Sequence, residues 1–225
     1  MEKKYVLVSF MSKQSLIDVA QVALNGSTYE LKGTEILNVY KDNDNWVFEI
    51  KNDKKIIKSF FIVPKSGGGF LDISALERVN SQAESMFRED SLYGIKDRPG
   101  LDRIVNSIFN GFGGEEFYPG VLRKATAYWY KLATTQMFYN GNKRTALLAA
   151  LEMLVSNGYV LNNLSGKELY DITLAIAAKE LSKESLWEYV LKNSSLQYFN
   201  TRSEALNSDR WVQLNFKVDE NADLD

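Results

Sequence analysis

Three consecutive glycines, Gly67, Gly68 and Gly69, follow Pro64-Lys65-Ser66 and stop any regular element. The apolar pattern on their two sides differs. Before them lie β-branched and aromatic runs, Tyr5 to Phe10, Ile36 to Lys41, Trp46 to Lys51 and Ile56 to Val63. Asp42-Asn43-Asp44-Asn45 and Asn52-Asp53 separate the last three as hairpin turns. Ser12 to Leu24 carries helical spacing and stops at Asn25-Gly26. This predicts a small α+β module over residues 1–65. It holds ten Lys and no Arg against eight acids, a solvated module rather than a basic patch.

After the glycines the period becomes helical. Ile73, Leu76, Val79, Ala83 and Met86 share a face, with Ser74 and Glu77 spaced as a capping box. Pro99 sits at the start of a second helix, through Phe109 and Phe112, and Pro119 opens a third to about Thr135. Thr145 to Asn157 is apolar on nearly every side and ends at Gly158, as a central buried helix would. Ser165 with Glu168 caps the next, and Leu186 to Leu191 lies in a last short one. Trp211 to Val218 alternates apolar and polar residues and reads as a strand that joins the N-terminal sheet, ahead of an acidic end at Asp219 to Asp225. The expected fold class is α+β: an all-helical domain over 70–197, an appended module over 1–65, and a strand with an acidic tail over 205–225. Through the glycines the sheet would be tethered to the helices and free to dock on them.

Composition narrows the chemistry. The chain has neither Cys nor His, so disulfides, thiolate nucleophiles, the Ser-His-Asp triad and the usual base near pH 7 are excluded. The net charge of −2 gives no signal for nucleic acid. No apolar run reaches the roughly 20 residues that span a bilayer, and the start lacks the apolar core of a signal peptide, which predicts a cytoplasmic protein with no membrane partner.

One segment concentrates functional chemistry: Gln136-Met137-Phe138-Tyr139-Asn140-Gly141-Asn142-Lys143-Arg144, feeding Thr145-Ala146-Leu147. Asn140, Gly141 and Asn142 tolerate positive φ, so their N–H groups can converge as an anion nest at a helix N-terminus. Lys143 and Arg144 are cations at the end where the helix dipole disfavours them, by about 0.3–1 kcal/mol each, unless an anion is bound. The same residues also suit an Asn-Gly turn with a capped helix and a solvated first turn. Elsewhere, Tyr128-Trp129-Tyr130, Phe109, Phe112 and Phe117 read as core, Glu115 and Glu116 as a solvated loop, and Glu168 and Asp171 as helix-start residues.

At these residues the sequence resembles the Fic/Doc (Fido) family, whose pattern is H-x-F-x-(D/E/N)-G-N-(K/G)-R between two helices. Phe138, Asn140, Gly141, Asn142, Lys143 and Arg144 match it, and Thr145-Ala146-Leu147 resembles the Doc, or death-on-curing, branch. Pro99-Gly100-Leu101, Phe112-Gly113-Gly114, Phe117-Tyr118-Pro119 and Asn157-Gly158-Tyr159 extend the resemblance over roughly residues 70 to 195. It implies that Gly141 and Asn142 form an anion hole for nucleotide phosphates, that Lys143 and Arg144 pair with them, that Asn140 ligates Mg²⁺, and that Phe138 anchors the loop. Gly113, Gly114, Glu115, Glu116, Phe117 and Tyr118 would form the flap that aligns a target peptide. The implied reaction moves phosphate, or AMP, from ATP to a Ser/Thr hydroxyl of a protein, with translation factors such as elongation factor Tu as the target class. The biological setting would be a toxin–antitoxin pair.

Gln136 stands where the family has its histidine, the general base. An amide does not titrate near neutral pH, so it orients a hydroxyl without accepting its proton, a loss of about 10²–10⁴-fold. The family's self-inhibitory pattern S/T-x-x-x-E-(G/N) is absent, so that inhibition, if there is any, would come from an antitoxin or from the appended module. Three readings remain open: a weakened or inactivated Doc-like transferase, a non-catalytic nucleotide- or partner-binding Fido protein, and a helical interaction protein.

Overall fold

The structure is a computed structural model and describes residues 4–9, 12–53, 55–65, 70–85, 94–162 and 165–208. The expected segments come first in it: strand β1 (Tyr5–Ser9), helix α1 (Lys13–Leu24), then β2 (Ile36–Asp42), β3 (Asn45–Asn52) and β4 (Lys55–Lys65) as an antiparallel meander. Its turns use Asn43 at φ 51° and Asp53 at φ 48°, residue types that accept the left-handed region. Ser12 caps α1 through its hydroxyl, which accepts from Ser15 N–H at 3.2 Å. The chain then crosses so that β1 pairs parallel with β4, Tyr5 opposite Phe61 and Leu7 opposite Val63.

The helical part runs α2 (Ile73–Ser85), α3 (Arg98–Phe109), the hairpin β5 (Gly111–Phe112) and β6 (Glu115–Glu116), α4 (Gly120–Ala133) and α5 (Asn142–Val155). It continues through β7 (Tyr159–Leu161), α6 (Gly166–Ala177), α7 (Lys183–Asn193), β8 (Ser194–Leu196), β9 (Tyr198–Phe199) and α8 (Arg202–Asn207). The mixed α/β class agrees with the sequence reading. Asp72, not Ser74, caps α2: its carboxylate accepts from Ala75 N–H at 2.7 Å, which places Ser74 and Glu77 inside the helix. The capping box at Ser165 and Glu168 forms as expected.

The tail strand expected at Trp211 to Val218 and the glycines 67–69 lie outside the described residues. Among the described residues β9 pairs with β1, Tyr5 opposite Phe199, giving the order β2-β3-β4-β1-β9. Sheet and helices share one apolar cluster. Val6, Phe48, Phe60 and Val19 belong to it together with Leu122, Ala149 and Leu154. Polar ties cross the same boundary: Asn25 Nδ2 donates to Leu191 O and Ser194 O at 2.8 Å each, and Lys65 Nζ to Ser156 O at 2.8 Å. One buried carboxylate also lies there. Asp18 of α1 accepts from Gln14 Nε2 at 2.8 Å, while its Oδ2 faces Gly120 at the start of α4 without a hydrogen-bond partner. Burial pushes this carboxyl up to about 6, against smaller lowering by Gln14 and Arg123.

Helix α5 is the centre. Ala146, Ala149, Ala150, Met153 and Leu154 are all buried, between α2, α4 and α6. Trp129 Nε1–H to Thr173 Oγ1 at 2.9 Å and Tyr128 O–H to Leu71 O at 2.6 Å fix α4 against its neighbours. These contacts hold the C-terminal half of α4 in place, and the nine-residue segment singled out above joins it to α5.

Candidate functional site

Helix α5 begins at Asn142, three residues before the expected Thr145, because Gly141 takes the N-cap position at φ 67° and ψ 18°. Lys143 and Arg144 therefore lie in its first turn. The first backbone N–H groups of a helix have no partner within it, so this end combines donors outside the helical ladder with two cations.

The loop is held from several sides. Phe138 is buried, and its backbone bridges to Ile95. Met137 O accepts from Lys96 N–H at 2.8 Å and Asp97 N–H at 3.1 Å, and Tyr139 N–H donates to Gly94 O at 3.0 Å. Across the loop, Asn142 Oδ1 accepts from Phe138 N–H at 2.9 Å. Its Nδ2 donates to Phe138 O at 2.9 Å and to Gln136 Oε1 at 3.1 Å. The Asn142 side chain thus fixes the loop, and any anion contact falls to the backbone around it. Asn140 Oδ1 accepts from Gly141 N–H at 2.9 Å and keeps a second lone pair.

Helix α2 supplies two residues that the sequence reading missed. Asn80 is fully buried. Its Nδ2 donates to Asn140 O and Thr145 Oγ1 at 3.0 Å each, and its Oδ1 accepts from Gly94 N–H at 3.0 Å. One turn on, Glu84 is 4% exposed and pairs with Arg144 at 2.8 Å. It stands so close to Gly141 that a Cβ there would collide with its Oε1. The available signal was two polar residues at i and i+4 on the face otherwise made by Leu76, Val79 and Ala83.

Residues 113–118 do form a projecting element. Gly113 and Gly114, at φ 63° and 87°, make a two-residue turn of the hairpin that begins at Gly111. Phe112 is 84% and Phe117 58% exposed, which corrects their expected place in the core. The glycines after Asn110 end α3 at Phe109, so the helical spacing does not reach Phe112. Glu115 and Glu116 are exposed as expected, and Glu116 adds a tie: the buried Lys124 of α4 donates to Glu116 Oε2 and Tyr118 O at 2.7 Å each.

Beside the loop lies an open recess of about 460 Å³, lined by Gln136 and Lys143 and by Leu174, Ala177 and Ala178 at the end of α6. Among the described residues no group of three or more Asp or Glu side chains is placed to hold a metal ion. No helix among them is long and apolar enough to cross a membrane.

Residues 70–154, from the approach to α2 through α5, match the Fic/DOC family, which accounts for less than half of the 225 residues. No curated protein matches the chain.

Proposed function

We propose that the chain is a Doc-like, toxin-type transferase whose loop from Asn140 to Arg144 receives the phosphates of ATP or another nucleoside triphosphate with Mg²⁺. The transfer is of phosphate, or of AMP, to a Ser/Thr hydroxyl of a target protein, with an antitoxin as its controlling partner. The observation that carries this reading is the start of α5: a left-handed glycine at the N-cap, the backbone N–H groups of the first helical turn and two cations meet at one loop that buried contacts hold in shape. The match of residues 70–154 supports the same reaction class. Asn140 would ligate the metal through its amide oxygen, more weakly than a carboxylate, and the metal would neutralise phosphate charge. The recess beside Gln136 and Lys143 has room for part of a nucleotide.

Gln136 sets the level of activity. Its Oε1 accepts from Asn142, so it helps shape the loop but supplies no base. That observation favours the second reading, a non-catalytic nucleotide-binding protein. Two measurements separate them. Calorimetry with Mg²⁺ and ATP should show micromolar to millimolar binding that Arg144→Ala removes, and no binding by the intact chain rejects both readings. Gln136→His should raise transfer to a protein hydroxyl by at least about tenfold. A histidine variant that binds ATP yet transfers nothing leaves only the binding protein.

A further inference from the structure

The chain contains four Asn-Gly pairs: Asn25-Gly26, Asn110-Gly111, Asn140-Gly141 and Asn157-Gly158. We propose that Asn140 is a self-modifying position, converted to aspartate or its β-linked isomer by its own neighbouring peptide nitrogen. In the reaction the Gly141 nitrogen attacks Asn140 Cγ. The N–Cγ bond forms, the Cγ–Nδ2 bond breaks, and ammonia leaves with the proton from the Gly141 N–H. Water then opens the five-membered imide at either carbonyl. No oxidant or reductant takes part.

The structure singles out this pair. Gly141 N–H donates to Asn140 Oδ1 at 2.9 Å, so the nucleophile already rests against the carbonyl group that it attacks. Gly141 is the N-cap of α5, and its N–H is therefore outside the helical ladder. Asn140 is part-exposed, so water has access. The α5 dipole with Lys143 favours negative charge, first on the deprotonated nitrogen and then on the product carboxylate, while Glu84, which is paired with Arg144 and stands beside Gly141, opposes it in part.

The other three pairs are held differently. Asn157 is fully buried, its Nδ2 donates to Met153 O, and Gly158 N–H is engaged by Val155 O. Asn25 is fixed through Leu191 O and Ser194 O. Gly111 pairs with Glu116 and packs on the backbone of Glu115. The product would add a unit negative charge to the loop. Under the function proposed above it would also give Mg²⁺ a carboxylate in place of an amide, a consequence that rests on that reading while the chemistry does not.

The test is to age the folded full-length chain at mildly alkaline pH and map peptides by mass spectrometry with isoaspartate detection. A gain of one mass unit should appear at Asn140 first, then at Asn110, with Asn25 and Asn157 last. In denaturant the four pairs should react at similar rates, and Asn140→Gln should remove the early gain. The proposal is overturned if Asn140 does not lead in the folded chain, or if its lead persists in denaturant. Calorimetry on freshly prepared protein reads ATP binding separately, so failure of the nucleotide reading leaves this result unaffected, and the reverse holds too.

Discussion

Replacing Asp18 by Asn should reverse the usual expectation for a charged residue and stabilise the protein. The folded state holds this carboxyl at about 6, against 3.8 for the ordinary group. The native chain therefore binds the proton more tightly than the unfolded chain, and stability falls as pH rises from about 4 through about 6. At 1.36 kcal/mol per unit the loss above that window is about 3 kcal/mol. The geometry gives the cause: Gln14 serves one oxygen, the other faces Gly120 without a hydrogen-bond partner, and Arg123 contributes only at a distance. Asn keeps the shape and the bond from Gln14 without the buried charge. Urea unfolding followed by tryptophan fluorescence should show Asp18→Asn more stable by up to about 3 kcal/mol at pH 7.5. The advantage should shrink to nothing near pH 4. Every other titrating group is common to both proteins, so the difference isolates Asp18. Equal pH slopes for the two chains, or a variant less stable at pH 7.5, would refute the argument.

Removing the carboxylate that holds Arg144 should favour anion binding. Glu84→Gln is expected to tighten ATP by about tenfold or more, since a charge-assisted bond is worth about 1.5–3 kcal/mol; unchanged affinity in calorimetry would mean that Arg144 is not the phosphate contact. Gly141→Ala should destabilise by at least about 1–3 kcal/mol, from left-handed strain before the collision with Glu84 is counted. Thermal unfolding reads this, and an unshifted midpoint would contradict the loop geometry.

Much of this arrangement was legible because local rules and tertiary packing agree. The meander follows from period-two runs divided by Asn43 and Asp53, and α5 from an apolar run that begins after Asn-Gly. The residues of the loop were found because small, amide and cationic side chains occur together in nine positions. What escaped depends on contacts across the fold. Nothing near Glu84 in sequence marks Arg144 as its partner, because 60 residues separate them. Strand β9 is two residues long and is defined by its pairing with β1. Phe112 and Phe117 continued an apolar spacing into a glycine-rich turn, where the backbone carries them outward instead.

The three hydrogen bonds of Asn80 decide how Arg144 can be uncovered. Its single amide joins α2 to the loop, to the start of α5 and to Gly94. Moving α2 away as a body would strand these buried groups, at about 1–3 kcal/mol each. Turning the Glu84 side chain breaks none of them. The route of least resistance is thus a rotamer change of the buried Glu84 side chain, rather than a helix displacement over microseconds to milliseconds. Nucleotide arrival would then be limited by encounter. Stopped-flow association should show a single phase whose rate rises linearly with nucleotide concentration, and a plateau would mean that α2 itself has to move.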